Sequence, residues 1–227
     1  MGLSAADLAI KHWNKTPLFV SEEERYGIYP WLPEAAEFDQ HRGRKVLEVG
    51  CGTGCDLLQF AKNGAIAHGI DITEEHLRLA KERVGDMAEV RYGDGRGIPY
   101  PDAYFDYVYS HGVIMCSDEP RRIVEEIWRV LKPGGRFNVH LYAYWSYFHL
   151  WKFLKHGRKW KLHVESGIQN GRFIDSADPV YMDLYTARSC RALFAPAKIA
   201  VTKRQCKPLQ SLAPLFGWYL IVKGCRP

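Results

Sequence analysis

The chain of 227 residues contains no apolar run approaching the roughly 18 residues that a membrane-crossing helix needs. Its first residues, Met1 to Trp13, lack the basic start and apolar stretch of a secretory leader. Position six is Ala6, where an N-myristoylation pattern requires Ser or Thr. These absences point to a cytoplasmic protein. The six cysteines form no C-x-x-C pair, which is too sparse a pattern for a disulfide scaffold and the wrong spacing for a zinc site. No cluster of metal-ligating residues stands out, so a magnesium-assisted mechanism is not expected. Repeats and low-complexity segments are missing too. With 47% hydrophobic and 25% charged residues, the chain is neither disordered nor fibrous, and its length suffices for a sizeable core.

Charge is present but uneven. Residues 151–227 hold 14 Lys+Arg against 4 Asp+Glu, leaving 17 against 22 in residues 1–150. A basic C-terminal third suits an anionic partner such as a carboxylate substrate, a phosphate or nucleic acid, or simply a solvated face.

Residues 1–43 mix aromatics with Pro17, Pro30 and Pro33 and read as an arm of short helices over a core. From Arg44 onward the pattern becomes regular. Short apolar runs at Lys45–Gly50, Ala65–Asp71, Glu89–Tyr92, Phe105–Ser110 and Arg136–Tyr142 read as strands. Helical periodicity fills the gaps: Gly54–Asn63, a helix capped by Thr73, and one opened by Ser117 and Asp118 and stopped by Pro133-Gly134-Gly135. Strands alternating with helices specify an α/β fold with a doubly wound, mostly parallel sheet. Two further runs, Lys198–Cys206 and Gly217–Lys223, have only a loop between them and predict an antiparallel hairpin closing that sheet. The resulting organisation is an N-terminal cap (1–43), a Rossmann-like core (44–143), an aromatic lid (144–185), and a last helix with the hairpin (186–227), with Thr186 as that helix's cap.

Ligands of open parallel sheets sit beyond the carboxyl ends of the strands. The first strand ends in Glu48-Val49-Gly50-Cys51-Gly52-Thr53-Gly54. A dinucleotide fingerprint would place glycine at position 55, where this chain has Cys55. The G-x-G-x-G spacing, with an acid two residues ahead of it, argues against nicotinamide cofactors.

These segments resemble the class I S-adenosylmethionine-dependent methyltransferases, particularly those acting on small molecules. The resemblance covers VLEVGCGTG at 46–54, GID at 69–71, GDG at 93–95, FDYVYSHGVIM at 105–115 and EIWRVLKPGGRF at 126–137. It implies a seven-stranded sheet whose last two strands form a hairpin, with S-adenosylmethionine as cofactor and S-adenosylhomocysteine as product. It implies that Gly50, Gly52 and Gly54 line the methionine and ribose part of the cofactor and that Glu48 faces its ammonium group. Asp71, followed by Ile72, would accept the ribose hydroxyls, since a carboxylate offers two oxygens and no donor. Asp94 and Gly95, with the Arg96 backbone, would hold adenine. Ser110 and His111 would lie where the methyl group points, with His111 as the candidate general base, because imidazole titrates near neutral pH. The chain departs from the family pattern at Met115 and Cys116, where many members carry histidine.

Tyr26, Tyr29 and Trp31 of the arm, with Tyr144, Tyr147 and Trp151 of the lid, are candidates for an aromatic substrate pocket. Lys152, Lys155, Arg158, Lys159 and Lys161 give the lid a positive stripe. No N-P-P-Y or D-P-P-Y segment follows the fourth strand, which disfavours nucleobase or amide nitrogen as acceptor. The leading expectation is therefore methyl transfer to a small molecule by in-line displacement. The alternatives are an RNA methyltransferase using the basic C-terminal third, or a cofactor-binding protein without turnover.

Overall fold

The computed structural model describes residues 7, 10, 11, 13, 14, 21–147, 150, 154, 168, 169, 172, 173, 180, 181, 183–204 and 212–227. In chain order the arm supplies α1 (Glu22–Ile28) and α2 (Leu32–Ala36). There follow β1 (Lys45–Val49), α3 (Cys55–Lys62), β2 (Ile66–Asp71), α4 (Glu74–Val84), β3 (Ala88–Tyr92), β4 (Phe105–His111) and α5 (Pro120–Val130). Next come β5 (Leu131–Tyr142), three two-residue strands β6 (Ile168–Gln169), β7 (Arg172–Phe173) and β8 (Val180–Tyr181), and α6 (Ala187–Leu193). The chain closes with β9 (Ile199–Arg204), α7 (Ala213–Phe216) and β10 (Tyr219–Cys225).

Seven strands form one sheet in the order β3-β2-β1-β4-β5-β10-β9. All pairings among β1 to β5 are parallel, while β10 runs antiparallel to both β5 and β9, as the hairpin pattern predicted. The inner strands β1, β2 and β4 are buried on both faces, so alternate residues feed two separate cores. Leu47, Val49 and Val108 join the core under α5 and α6, where Phe137 stacks on Phe194 at 5.1 Å. Val46, Tyr107 and Tyr109 face the opposite core, with Leu57, Phe60 and Ala80 of α3 and α4. Full burial of each such aliphatic side chain contributes roughly 1.5–3 kcal/mol.

Local signals explain most boundaries. Ser21 caps α1 through its side chain, and Pro33 sits in the first turn of α2, where a missing N–H costs nothing. Thr186 and Ser189 form a reciprocal capping box on α6. Three expectations are corrected in detail. Thr73 occupies the N-cap of α4, but its hydroxyl donates to Asp71 instead of accepting from the helix. The cap of α5 is Glu119, with the Ser117 hydroxyl accepting the Glu119 N–H. The Pro133-Gly134-Gly135 segment does not end a helix: α5 stops at Val130 and β5 begins at Leu131, with the β4–β5 register jumping so that Phe105 pairs with Leu131 but Tyr107 with Arg136. The glycines absorb that bulge.

Among the described residues no helix is long and apolar enough to cross a membrane.

Candidate active site

The strand order reverses between β1 and β4, and a cleft of about 200 Å³ opens beyond the carboxyl ends of β1, β2 and β4. Its floor is the glycine loop after β1. Gly50 has φ +73°, and a β-carbon there would collide with the Val113 side chain. Only glycine combines that backbone with that close approach. The Gly50 and Cys51 amides donate to the Ile70 carbonyl at 2.8 and 2.9 Å, which ties the loop to the end of β2. Gly52, at φ +51°, has open space where its side chain would be. Gly54 lies off the cleft lining: it precedes α3 at φ +79°, and a β-carbon there would sit only 3.1 Å from the Ala80 Cα, so its absence lets α3 pack closely on α4.

Glu48 lines the cleft, is 3% exposed, and its Oε2 has no hydrogen-bond partner. Burial, and then the nearby Asp56 carboxylate, push its carboxyl well above the ordinary range, against the pull of Arg25. A buried carboxylate oxygen left unpaired at a ligand cleft is costly, and a cationic ligand group removes the cost.

Asp71, at the end of β2, is oriented on several sides. Its Oδ2 accepts the Gly52 N–H at 2.9 Å, and its Oδ1 accepts the Thr73 N–H at 3.0 Å and the Thr73 hydroxyl at 2.6 Å. His76 Nδ1 lies 3.4 Å away. Burial raises its pKa, but the bonds from His76 and Thr73 outweigh that and hold it below the usual value. Ile72 follows it in the cleft wall.

Asp94 and Gly95 line the far end of the cleft. Arg96 engages both Asp94 carboxylate oxygens, its Nη2 at 2.7 Å, and its backbone N–H donates to Oδ1 at 2.9 Å. Arg96 also reaches Glu119 at 3.1 Å, so it links the β3 loop to the start of α5.

His111 closes the opposite end. Burial, helped by the Arg25 charge, depresses its pKa well below 6.5, so the ring is neutral at pH 7. The Tyr219 ring stacks on it at 4.9 Å, and Tyr29 lies 5.6 Å away. Of the residues predicted as substrate-facing, only Tyr29 lines the cleft among those described. Trp31 packs one layer behind, 6.1 Å from His111. The Tyr26 hydroxyl bonds to Asp56 at 2.9 Å, Tyr144 packs on Trp145 at 5.2 Å, and Tyr147 lies away from the cleft lining. Ser110 is fully buried and donates to the Val49 carbonyl at 3.0 Å, so it braces β4 against β1. Trp151, with the basic stripe of Lys152, Lys155, Arg158, Lys159 and Lys161, lies outside the described residues.

Sequence reading missed Arg25 and Asp56, an ion pair in the cleft wall, and Tyr142 and Tyr219, which also line it. Asp56 was detectable as an acid in the first turn after the glycine loop. Asn138, His140 and Tyr142 alternate with Phe137, Val139 and Leu141 along β5, a polar face inside an apolar strand.

Residues 47–139 match the methyltransferase domain family. The phosphatidylethanolamine N-methyltransferase of Cereibacter sphaeroides is 39% identical over 99 residues, 41% of this chain and 48% of that relative. The demethylmenaquinone methyltransferase of Symbiobacterium thermophilum is 29% identical over 170 residues, covering 62% of this chain and 67% of its own length. The magnesium protoporphyrin IX methyltransferase of Synechocystis, solved with bound SAH, superposes with a TM-score of 0.60 at 15% identity over 91% of this chain and 83% of its own. The chain thus spans about half the length of the first of these relatives. The motif order, the glycine loop, the terminal acid of β2 and the seven-stranded sheet agree with that match, and residues 47–139 form a methyltransferase domain of the class I S-adenosylmethionine-dependent type.

Proposed function

We propose that this protein transfers a methyl group from S-adenosylmethionine to a small-molecule acceptor, with His111 as general base. The observation that carries the reading is the unpartnered, buried Oε2 of Glu48 in the same cleft as the neutral imidazole of His111. Glu48 would hold the cofactor's ammonium group, and Asp71 the ribose hydroxyls with the lone pairs left on its oxygens. Asp94 and Gly95 would face adenine, Asp94 sharing an oxygen with Arg96. When bound, the cofactor supplies an electrophilic sulfonium methyl group. The protein's part is then alignment and exclusion of water, which can lower a barrier by about 7–11 kcal/mol. His111, which lies between Tyr29 and Tyr219, would take a proton from the acceptor.

The methyltransferases of phosphatidylethanolamine and demethylmenaquinone among its relatives support a small-molecule acceptor. The proposal keeps the protein in the reducing cytoplasm, in line with Cys51, Cys55, Cys116, Cys190 and Cys225, none of which forms a disulfide among the described residues. The test is transfer of labelled methyl from S-adenosylmethionine into a cell extract fractionated into RNA, protein and small molecules. Label in the small-molecule fraction is the expected result. Label confined to RNA, or none with cofactor binding confirmed, would overturn it.

A further inference from the structure

Behind His111 lies a line of buried hydrogen bonds that methyl transfer as such does not require. Strands β4 and β5 run parallel with His111 opposite His140 and Tyr109 opposite Asn138. The two histidine rings therefore meet edge to edge, Nδ1 to Nδ1, at 2.8 Å. His140 Nε2 lies 3.1 Å from Asn138 Oδ1, and Asn138 Nδ2 lies 2.7 Å from the Ala35 carbonyl of α2. His140 and Asn138 are both fully buried.

The protons along this line can be assigned from chemistry alone. The Ala35 carbonyl can only accept, so the Asn138 group facing it is the amide NH₂. Asn138 therefore turns its oxygen to His140, and an amide oxygen also only accepts, so His140 carries its proton on Nε2. A neutral imidazole protonated there has its lone pair on Nδ1. Two nitrogens at hydrogen-bond distance share a single proton, which must then belong to His111 Nδ1. The remaining His111 nitrogen, Nε2, is on the opposite edge of a ring that lines the cleft, and it is left with a lone pair.

We propose that Asn138 and His140 are positioning residues for His111: they lock it as the Nδ1–H tautomer and keep Nε2 as a proton acceptor toward the cleft. This rests on the methyl-transfer reading and narrows its substrate class. The acceptor atom is one that loses a proton on methylation, a hydroxyl, an N–H or an acidic C–H, in preference to a thioether or a tertiary amine. As the acceptor's bond to the methyl carbon forms, the carbon–sulfur bond breaks with its electron pair on sulfur. The acceptor's proton passes to His111 Nε2 and from there to water once product leaves. Trp31 packs on His140 at 5.8 Å and Tyr219 stacks on His111, so neither ring is free to turn over.

The test is nitrogen-15 NMR of the full-length protein with labelled histidine, which distinguishes a protonated from an unprotonated ring nitrogen without any acceptor present. In the native protein His111 is expected as Nδ1–H and His140 as Nε2–H. In His140→Phe, which keeps a ring but removes the acceptor, His111 is expected to move toward the Nε2–H form that free imidazole prefers. Once an acceptor is in hand, this variant should also lose about 100-fold or more in kcat, with KM for the acceptor little changed. Native His111 carrying its proton on Nε2, or a tautomer unmoved in His140→Phe, would overturn the proposal. If His140→Phe does not fold, the native spectrum decides alone. Failure of the methyl-transfer reading looks different: the tautomer pair is found, but no fraction of the extract takes up label.

Discussion

Arg25 of α1 and Asp56 of α3 form a buried, two-pronged ion pair, with Arg25 Nε donating to Asp56 Oδ1 at 2.6 Å and Nη2 donating to Oδ2. The Tyr26 and Tyr109 hydroxyls donate to the same carboxylate at 2.9 and 3.0 Å. Four donors thus converge on one acid in the first turn after the glycine loop, and three of them come from the arm. Breaking such a pair from one side strands a charge in the interior, at about 3–5 kcal/mol. Arg25→Met is therefore expected to lower unfolding stability by that amount. The double variant Arg25→Met, Asp56→Asn should recover part of it, because asparagine's oxygen still accepts from the tyrosines. Denaturant unfolding of the three proteins measures this, and equal losses in single and double variants would refute it.

Glu48 yields a prediction in which affinity and stability move in opposite directions. Its Oε2 is buried without a partner and burial disfavours its charged form, so Glu48→Gln puts a neutral group of the same shape where ionisation is costly. The midpoint of thermal unfolding should hold or rise. Affinity for S-adenosylhomocysteine, whose ammonium loses its counter-charge, should fall about tenfold or more. Calorimetry and a melting curve on the same sample check both halves, and a variant that loses stability with unchanged affinity would contradict the assignment.

Asp71→Ala should weaken S-adenosylhomocysteine binding at least about tenfold, roughly 1.4 kcal/mol. Asp71 also orients Gly52 and Thr73, so loop order contributes alongside direct contact. Asp71→Asn separates the two effects, since it keeps an acceptor oxygen for Gly52 but loses the charge. Isothermal titration that shows native affinity in Asp71→Ala would rule out the ribose role.

His41 contributes to the acid sensitivity of the fold. It stacks on Tyr107 at 3.8 Å, both ring nitrogens lack partners, and burial lowers its pKa to about 4 from 6.5. The unfolded chain therefore takes up the proton first as pH falls, so stability is complete above 6.5 and declines toward 4. A shift of this size corresponds to about 3 kcal/mol. His41→Phe keeps the stack and should flatten that part of the profile. Unfolding at pH 7.5 and pH 4.5 for both proteins tests it; an identical pH dependence would count against His41.

The sheet was readable because its strands are short apolar runs and its crossovers carry helical periodicity, so Val46 to Val49 and Leu77 to Val84 could be placed from spacing alone. The bulge at Lys132–Gly135 was not, because Pro-Gly-Gly signals a stop without saying whether the chain restarts as loop or strand. In the site, residues borne on the glycine loop and strand ends were legible: Glu48, Gly50, Gly52, Asp71, Asp94 and His111 all line the cleft. Gly54 and Ser110 belong to the same motifs but serve packing between elements, a distinction that depends on neighbours distant in sequence. Arg25 and Tyr219 reach the cleft from the two ends of the chain, where no local pattern marks them.

The arm touches both halves of the cleft: Arg25 and Tyr29 line it, and the Ala35 carbonyl ends the hydrogen-bond line from His111. Seating of this segment and occupancy of the cleft are therefore linked thermodynamically, and linkage of this kind is reciprocal. Whatever factor a ligand adds to the protection of α1 and α2 against hydrogen exchange, the docked arm adds to the ligand's affinity. A segment that reads as mere covering is in this sense a second ligand of the site, one that the chain carries with it.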